Sequence, residues 1–533
     1  MTSGFEQALQ AWRSLLGEAN VIGAEQASFL YGADTGGLER RIPAALKPRD
    51  SAQLSALMCI ASEYKVPVYP VSTGRNWGYG TALPARHDCV LLDLSGLDQI
   101  LHFDAELGVV TVQPGVTQGQ LADFLRDGGH PFMVPNTGAG PSTSLLGNAL
   151  ERGYGVTPHT DHFAAVTDLE AVLADGSIYR TALNEAGGED IARLFKWGIG
   201  AHSAGLFTQS GFGIVTRMSI VLARRPEMIK VCLFSLKDDS LLEPAVERIH
   251  EILGRLPGIV GAINIMNRHR VLAMSAPYPA GQAGPDGLLP PELIAQLGKQ
   301  YQIMPWTCFG TLYGTRRVVK AAQREIRAVL KGVASRLLFL SQGNANQLAS
   351  LAKLLPGAGG ARLASTANTL AQALELASGQ PNETALPLAY WRNPRPHGGG
   401  PRDPARDGCG LLWYAPLVPM RGRQARAYVE MVQQITRKHG IEPLLTFTSL
   451  NDRVFDSTVP LLFDRSQPQA VAAAHACYEE LLAEGKAHHW FPYRVGISTM
   501  PALRAAQQDA PGFHDRLQAA LDPHGLIAPG RYR

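Results

Sequence analysis

With 533 residues, 45% of them apolar and 18% charged, the chain is a globular protein too long for one hydrophobic core, so two domains are expected. Its net charge of +3, from 49 basic and 46 acidic residues with no basic block, argues against nucleic acid as an obligate partner, because phosphate binding needs concentrated positive charge. The six cysteines (Cys59, Cys89, Cys232, Cys308, Cys409 and Cys477) are scattered without a C-x-x-C pair, which excludes a zinc ribbon and makes a disulfide framework unnecessary at this size.

The opening residues, MTSGFEQALQAWRSLLGEANV, lack the apolar core of a secretory signal, and no run long enough to span a membrane follows. A cytoplasmic location without membrane association is expected. Residues 51–65, SAQLSALMCIASEYK, place apolar side chains at helical spacing behind Ser51 as N-cap. VPVYPVS then reads as a short buried strand, and the glycine-rich GRNWGYGTALP follows it. A P-loop would need a lysine here, and a dinucleotide fingerprint would open a helix. Instead Pro84 and the strand-like CVLLDLS come next. What remains is a loop between strands whose backbone N–H groups point at an anion, or else a glycine hairpin with no ligand.

CVLLDLSGL and GVVTVQPGVTQGQLADFLRDGG read as strand, strand, turn and helix. AVTDLEAVLADGSIYRTA (165–182) has the pattern of a hairpin turning at Asp175 and Gly176, and FGIVTRMSIVLARRP that of another strand pair. Two further runs rich in small residues and hydroxyls, PSTSLLGNALERGYGVTPHTDHF (141–163) and GLFTQSGFGIVTRMSIVL (205–222), accompany the glycine loop. Three such segments suit a long, polar, phosphate-bearing cofactor, since small residues admit close approach and backbone amides neutralise a pyrophosphate.

From about residue 226 the texture changes to strand (MIKVCLFSL), helix (LLEPAVERIHEILGRL) and strand (GIVGAINIMN). Residues 275–291 read as a surface loop, 340–380 as helical, and NPRPHGGGPRDPARDG (393–408) as a long loop forming a lid or a subunit contact. GLLWYAPLVP, RQARAYVEMVQQITRKHG and IEPLLTFTSL complete a strand–helix–strand series, which suits an α+β domain.

The order P-V-S-T-G-R-N-x-G-Y-G, L-D-L-S-x-L, V-x-P-G-V-T, L-G-N-A-x-E-R-G-x-G-x-T-P-x-x-D-H, F-T-Q-S-x-x-G-I-V-T and L-D-P-x-G-x-x-A-P-G-R closely resembles the vanillyl-alcohol oxidase and p-cresol methylhydroxylase family of flavoproteins. The resemblance covers nearly the whole chain. It implies an α+β, two-subdomain FAD-binding fold with an α+β substrate, or cap, domain. The FAD-binding part would comprise residues 1–225 and a returning segment 491–533, with the cap at 226–490. By the same resemblance Val71, Ser72, Thr73, Gly74, Arg75 and Asn76 hold the FAD pyrophosphate. Ser144, Gly147, Asn148, Gly213, Ile214 and Val215 line the rest of the cofactor, and Arg531 approaches the flavin. Tyr79, Tyr493 and Arg494 match a phenol-binding trio. Two phenolic hydroxyls and a guanidinium can stabilise a substrate phenolate through charge-assisted hydrogen bonds.

The implied activity is hydride abstraction from a benzylic or heteroatom-activated carbon, first of all in a para-substituted phenol. The acceptor would be oxygen or an electron-carrier protein, and the assembly a homodimer. A tailoring oxidase acting on a non-phenolic alcohol, amine or heterocycle is the alternative on the same fold, and a flavin-free binding protein is a third reading. The sequence departs from the family where an aspartate acts near the flavin: Ala139 stands there and cannot move a proton. It departs again where the family anchors FAD covalently. Leu411 replaces a histidine, Asp403 lies near the position of a tyrosine, and His397, Tyr390, Cys409 and Tyr414 are out of register. Non-covalent FAD is therefore expected. His162 is expected in a structural hydrogen bond, with His202, His488 and His489 as substitute acid–base candidates.

Overall fold

The structure is a computed structural model that describes residues 3–352, 368–395, 397–504 and 512–532. Its first sheet is ordered Val21–Gly23, Ala44–Leu46, Val90–Asp93, Val68–Val71, antiparallel at the first pair and parallel thereafter. Every residue of Val90–Asp93 is buried, as an inner parallel strand covered on both faces requires. Helices Ser3–Leu16 and Gln53–Tyr64 cover it, joined by Trp12 Nε1 donating to the Leu57 carbonyl at 3.2 Å. The C-terminal residues return to this sheet: Val68 N donates to Leu526 O, and Ala528 N to Val68 O, both at 2.8 Å. They brace the strand that feeds the glycine loop.

The second sheet is antiparallel, ordered Ile100–Asp104, Val109–Val112, Ile214–Val221, Val166–Val172, Ile178–Arg180. The hairpin expected at Asp175 and Gly176 is its right-hand edge, with Gly176 at φ 86°. The strand pair expected in FGIVTRMSIVLARRP is not formed. Ile214–Val221 is one central strand flanked by two others, and Ala223–Arg224 pairs with Phe132–Met133 instead. No glycine, asparagine or aspartate separates the two segments, so the chain has no turn with which to fold back on itself.

The third sheet is antiparallel with eight strands, ordered Arg336–Leu340, Met228–Leu236, Trp306–Gly314, Val260–Asn267, Thr446–Ser449, Val454–Phe463, Gly410–Tyr414, with Leu417–Pro419 also paired to Val454–Phe463. Helices Leu242–Arg255, Arg316–Val329, Gly422–Lys438 and Pro468–Ala487 bury their apolar faces with it in one core. Three of these strands, Arg336–Leu340, Trp306–Gly314 and Val454–Phe463, lie outside the elements expected from sequence. Within 340–380 the described residues form helices Gln342–Ala352 and 368–377, and residues 353–367 lie outside them. Among the described residues no helix is long and apolar enough to cross a membrane.

Candidate active site

A cavity of about 420 Å³ lies among the three sheets, and all sixteen site residues expected from sequence line it. Its first wall is the loop after Val68–Val71. That loop is held from behind: Thr35 Oγ1 accepts from Gly78 N at 2.8 Å, and Asp34 accepts from Thr81 Oγ1 at 3.1 Å. Among the described residues no oxygen accepts from the backbone N–H of Thr73, Gly74, Arg75 or Asn76. Four consecutive free donors at a cavity wall form an anion-binding nest. The Arg75 side chain is turned away from that role and pairs with Asp403.

The second wall is the start of helix Leu145–Leu150, capped by Ser144, whose Oγ accepts from Gly147 N at 2.9 Å. Ser144 N donates in turn to Thr73 Oγ1 at 3.2 Å, locking the two loops together. A Cβ on Gly147 would sit 2.7 Å from Ser72 Oγ, and one on Gly213 2.7 Å from Phe207. Such clearances exist where backbone must approach something closely, and with the nest they fit a dinucleotide whose pyrophosphate rests on residues 73–76. Asn148 is hydrogen-bonded to His162, which burial and neighbouring His159 depress to about 3, so His162 is neutral.

Tyr79, Tyr493 and Arg494 come together although more than 400 residues separate the first from the others. The Arg494 guanidinium lies 4.3 Å from the centre of the Tyr79 ring. It is held by Asn76 Oδ1 and, at 3.2 Å, by Glu151. Glu151 also pairs with Arg531, and Tyr532 donates to it at 3.3 Å. Burial pushes the Tyr79 and Tyr493 phenols well above their usual range, so both stay protonated donors. Tyr154 packs edge-on against Tyr493 with ring centres 5.4 Å apart. Trp413 closes the cavity over the loop: a Cβ on Gly78 would fall 2.2 Å from its indole, and Gly78 has φ 80°.

Ala139 does line the cavity and brings no carboxyl. Asp456, which the sequence analysis missed, supplies one nearby. It is 4% exposed in strand Val454–Phe463, its Oδ1 has no hydrogen-bond partner, and its charge acts on Tyr79, Tyr154, Tyr493 and Arg494. Burial raises its carboxyl to about 8, with Arg494 opposing. A lone acid in the apolar run VFDSTVPLLF was the available signal. Glu151 was missed as well, although it stands inside the quoted L-G-N-A-x-E-R-G motif.

The substitute histidines are not in this cavity. His202 packs against Trp197 at 5.2 Å, and His488 stacks on Trp490 at 4.7 Å. Nor do the four out-of-register anchor residues line it. Tyr390 is bonded to Asp407, with His397 3.5 Å from the same carboxylate. Cys409 is fully buried beside Asn393, and Tyr414 donates to Leu481 O at 2.9 Å.

Residues 42–182 match the family model of an FAD binding domain. The chain is 34% identical to 1'-carboxy-chondrochloren decarboxylase of Chondromyces crocatus, over 100% of this chain and 98% of that protein. It is 28% identical to the flavoprotein subunit of hydroxylating 4-cresol dehydrogenase of Pseudomonas putida, over 99% and 95%. A crystal structure of p-cresol methylhydroxylase with substrate bound matches with a TM-score of 0.88 at 26% identity, over 100% of this chain and 97% of that one. Nest, glycine clearances and matched domain together define an FAD-dependent oxidoreductase. Within that class, the chain belongs to the vanillyl-alcohol oxidase and p-cresol methylhydroxylase family.

Proposed function

We propose that the protein oxidises a para-substituted phenol or related aromatic compound at the carbon next to the ring. The observation that carries this is the buried cluster of Tyr79, Tyr493 and Arg494 in the same cavity as the nest of residues 73–76. Residues 71–76, Ser144, Gly147, Asn148 and residues 213–215 would hold the FAD, with Arg531 at the flavin, and the bound flavin would supply the two-electron acceptor. Residues 1–225 and 491–533 form the cofactor-binding part, and 226–490 the cap.

The two neutral tyrosines donate to the substrate oxygen while Arg494 supplies the positive charge, so a bound phenol ionises more readily than in water. Electron density pushed into the ring then assists departure of hydride from the opposite carbon. Asp456 is uncharged at pH 7 and adds no opposing negative charge. Non-covalent FAD is supported by the absence of Tyr390, His397, Cys409 and Tyr414 from the cavity lining. Oxygen or an electron-carrier protein takes the electrons onward. A homodimer is supported by five large apolar side chains exposed within nine residues (Ile191, Leu194, Phe195, Trp197 and Ile199), a surface of the kind that marks an interface.

Anaerobic mixing of the yellow protein with 4-alkylphenols tests the reading, which predicts bleaching of the flavin band. No bleaching with any phenol refutes it. A second reading, a carboxylated aromatic substrate that loses its carboxylate on oxidation, is favoured by the relative named as a decarboxylase, which matches over the whole chain.

A further inference from the structure

Four arginines line the cavity, and three of them face a carboxylate: Arg75 faces Asp403, while Arg494 and Arg531 share Glu151. The fourth, Arg270, has no acidic partner among the described residues. It projects from helix Arg268–Ser275, which follows directly on strand Val260–Asn267 of the eight-stranded sheet. Asn267 caps that helix by accepting from Arg270 N at 3.0 Å, which fixes the direction in which the side chain leaves. Arg270 Nε donates to Thr446 Oγ1 at 3.0 Å, and the guanidinium lies 5.8 Å from the centre of the Trp413 ring. Its Nη1 is shut off from solvent and has no hydrogen-bond partner.

An unpaired guanidinium donor walled off from water is costly unless something fills its place. Burial lowers this guanidinium to about 10 with no acid opposing the shift, so it still carries its charge at neutral pH. The backbone donors of residues 73–76 already suit the cofactor pyrophosphate, whereas Arg270, Thr446 and Trp413 come from the 226–490 part of the chain and leave Arg270 Nη1 free for another anion. One cation beside one hydroxyl suits a planar mono-anion, and the guanidinium fork matches a carboxylate.

We propose that Arg270 is the receptor for a carboxylate carried by the aromatic substrate, making the substrate class an aromatic carboxylic acid. This rests on reading the cavity as the binding site of an aromatic compound. It goes beyond that reading by naming the second recognition group and the residue that holds it.

The test is titration of the FAD-loaded protein, followed by the flavin absorption change, with two matched pairs: phenylacetate against phenylacetamide, and 4-hydroxyphenylacetate against its amide. A charge-assisted hydrogen bond predicts that each acid binds about tenfold to a hundredfold more tightly than its amide. R270M should erase that preference by weakening the acid far more than the amide, and R270K should restore part of it. Equal binding of acid and amide to the wild-type protein overturns the proposal. So does equal weakening of both by R270M, or an R270M variant whose flavin spectrum shifts without ligand while the acid preference survives. The phenol reading is judged separately by whether the 4-hydroxy compounds outbind their parents, and the phenylacetate pair judges Arg270 even if they do not.

Discussion

Replacing Asp456 by asparagine should make the protein more stable, and increasingly so as pH rises. The carboxyl is raised to about 8 in the folded protein from an ordinary 3.8. Between those values the folded chain keeps a proton that the unfolded chain releases. The stabilisation tied to that proton is complete below the unfolded value and is lost as pH climbs through the folded one. Each pH unit within the window is worth about 1.36 kcal/mol, so from pH 5 to pH 8 wild type should lose about 4 kcal/mol that D456N does not. For a cooperative unit of about 150–250 residues that corresponds to a gap in Tm widening by on the order of 10 °C. The assay is thermal unfolding of both FAD-loaded proteins at pH 5, 6.5 and 8, at one scan rate. A difference that stays constant across that range refutes the placement of a proton on Asp456. Phenol binding provides a second readout, since ionised Asp456 would repel a phenolate: wild-type affinity should fall above pH 8 and D456N affinity should not.

Three other outcomes follow from the same geometry. G147A places a Cβ 2.7 Å from Ser72 Oγ and forces apart the two loops at the nest, so the purified variant should lose most of its FAD, read as the ratio of 450 to 280 nm absorbance. R494M removes the cation over the Tyr79 ring and should slow flavin reduction by 4-ethylphenol by about a hundredfold to a thousandfold with FAD still bound, measured by stopped flow. Acid precipitation of the yellow protein should leave the flavin in the supernatant, whereas colour in the pellet would show a covalent bond.

That the expected cofactor residues gather at one cavity was legible because such residues act through backbone. A loop that must offer bare N–H groups and tolerate positive φ writes glycine into the sequence, and residues 71–80 and 144–148 are local, contiguous segments. Tyr79 and the adjacent Tyr493 and Arg494 were readable through motif order alone, since nothing in either stretch shows that they meet. Asp456, Glu151 and Arg270 act through three-dimensional charge relations that no local pattern encodes. An aspartate in a strand looks like any solvent-facing polar residue until both faces are known to be covered. The lack of an acidic partner for Arg270 among the described residues is a property of the packed fold, not of NRHRVLAM. The strand Trp306–Gly314 escaped notice for a related reason: Gly310 interrupts its β pattern, yet a Cβ there would press to 3.1 Å from Ile263 on the neighbouring strand, so the glycine is what lets the strands approach.

Counting charges around the cavity sharpens the substrate more than the trio does alone. Arg75 and Asp403 cancel, and Asp456 is neutral at pH 7. Arg494 and Arg531 share the single carboxylate of Glu151, which leaves one positive charge beside Tyr79 and Tyr493. Arg270 leaves a second one beside Trp413 and Thr446. Buried charges of like sign repel across low dielectric, and salt screens them little. With the two charges of the FAD pyrophosphate met by the backbone donors of residues 73–76, these two cations remain for the substrate, and a ligand with an anion at each end would offset both. A phenolate at Tyr79, Tyr493 and Arg494 and a carboxylate at Arg270 meet that demand in a single molecule. A neutral alkylphenol satisfies one cation and strands the other, so among phenols of equal size the acid should be the better substrate by kcat/KM as well as by affinity. A preference for the neutral phenol on both measures would show that the second cation is balanced by something other than substrate.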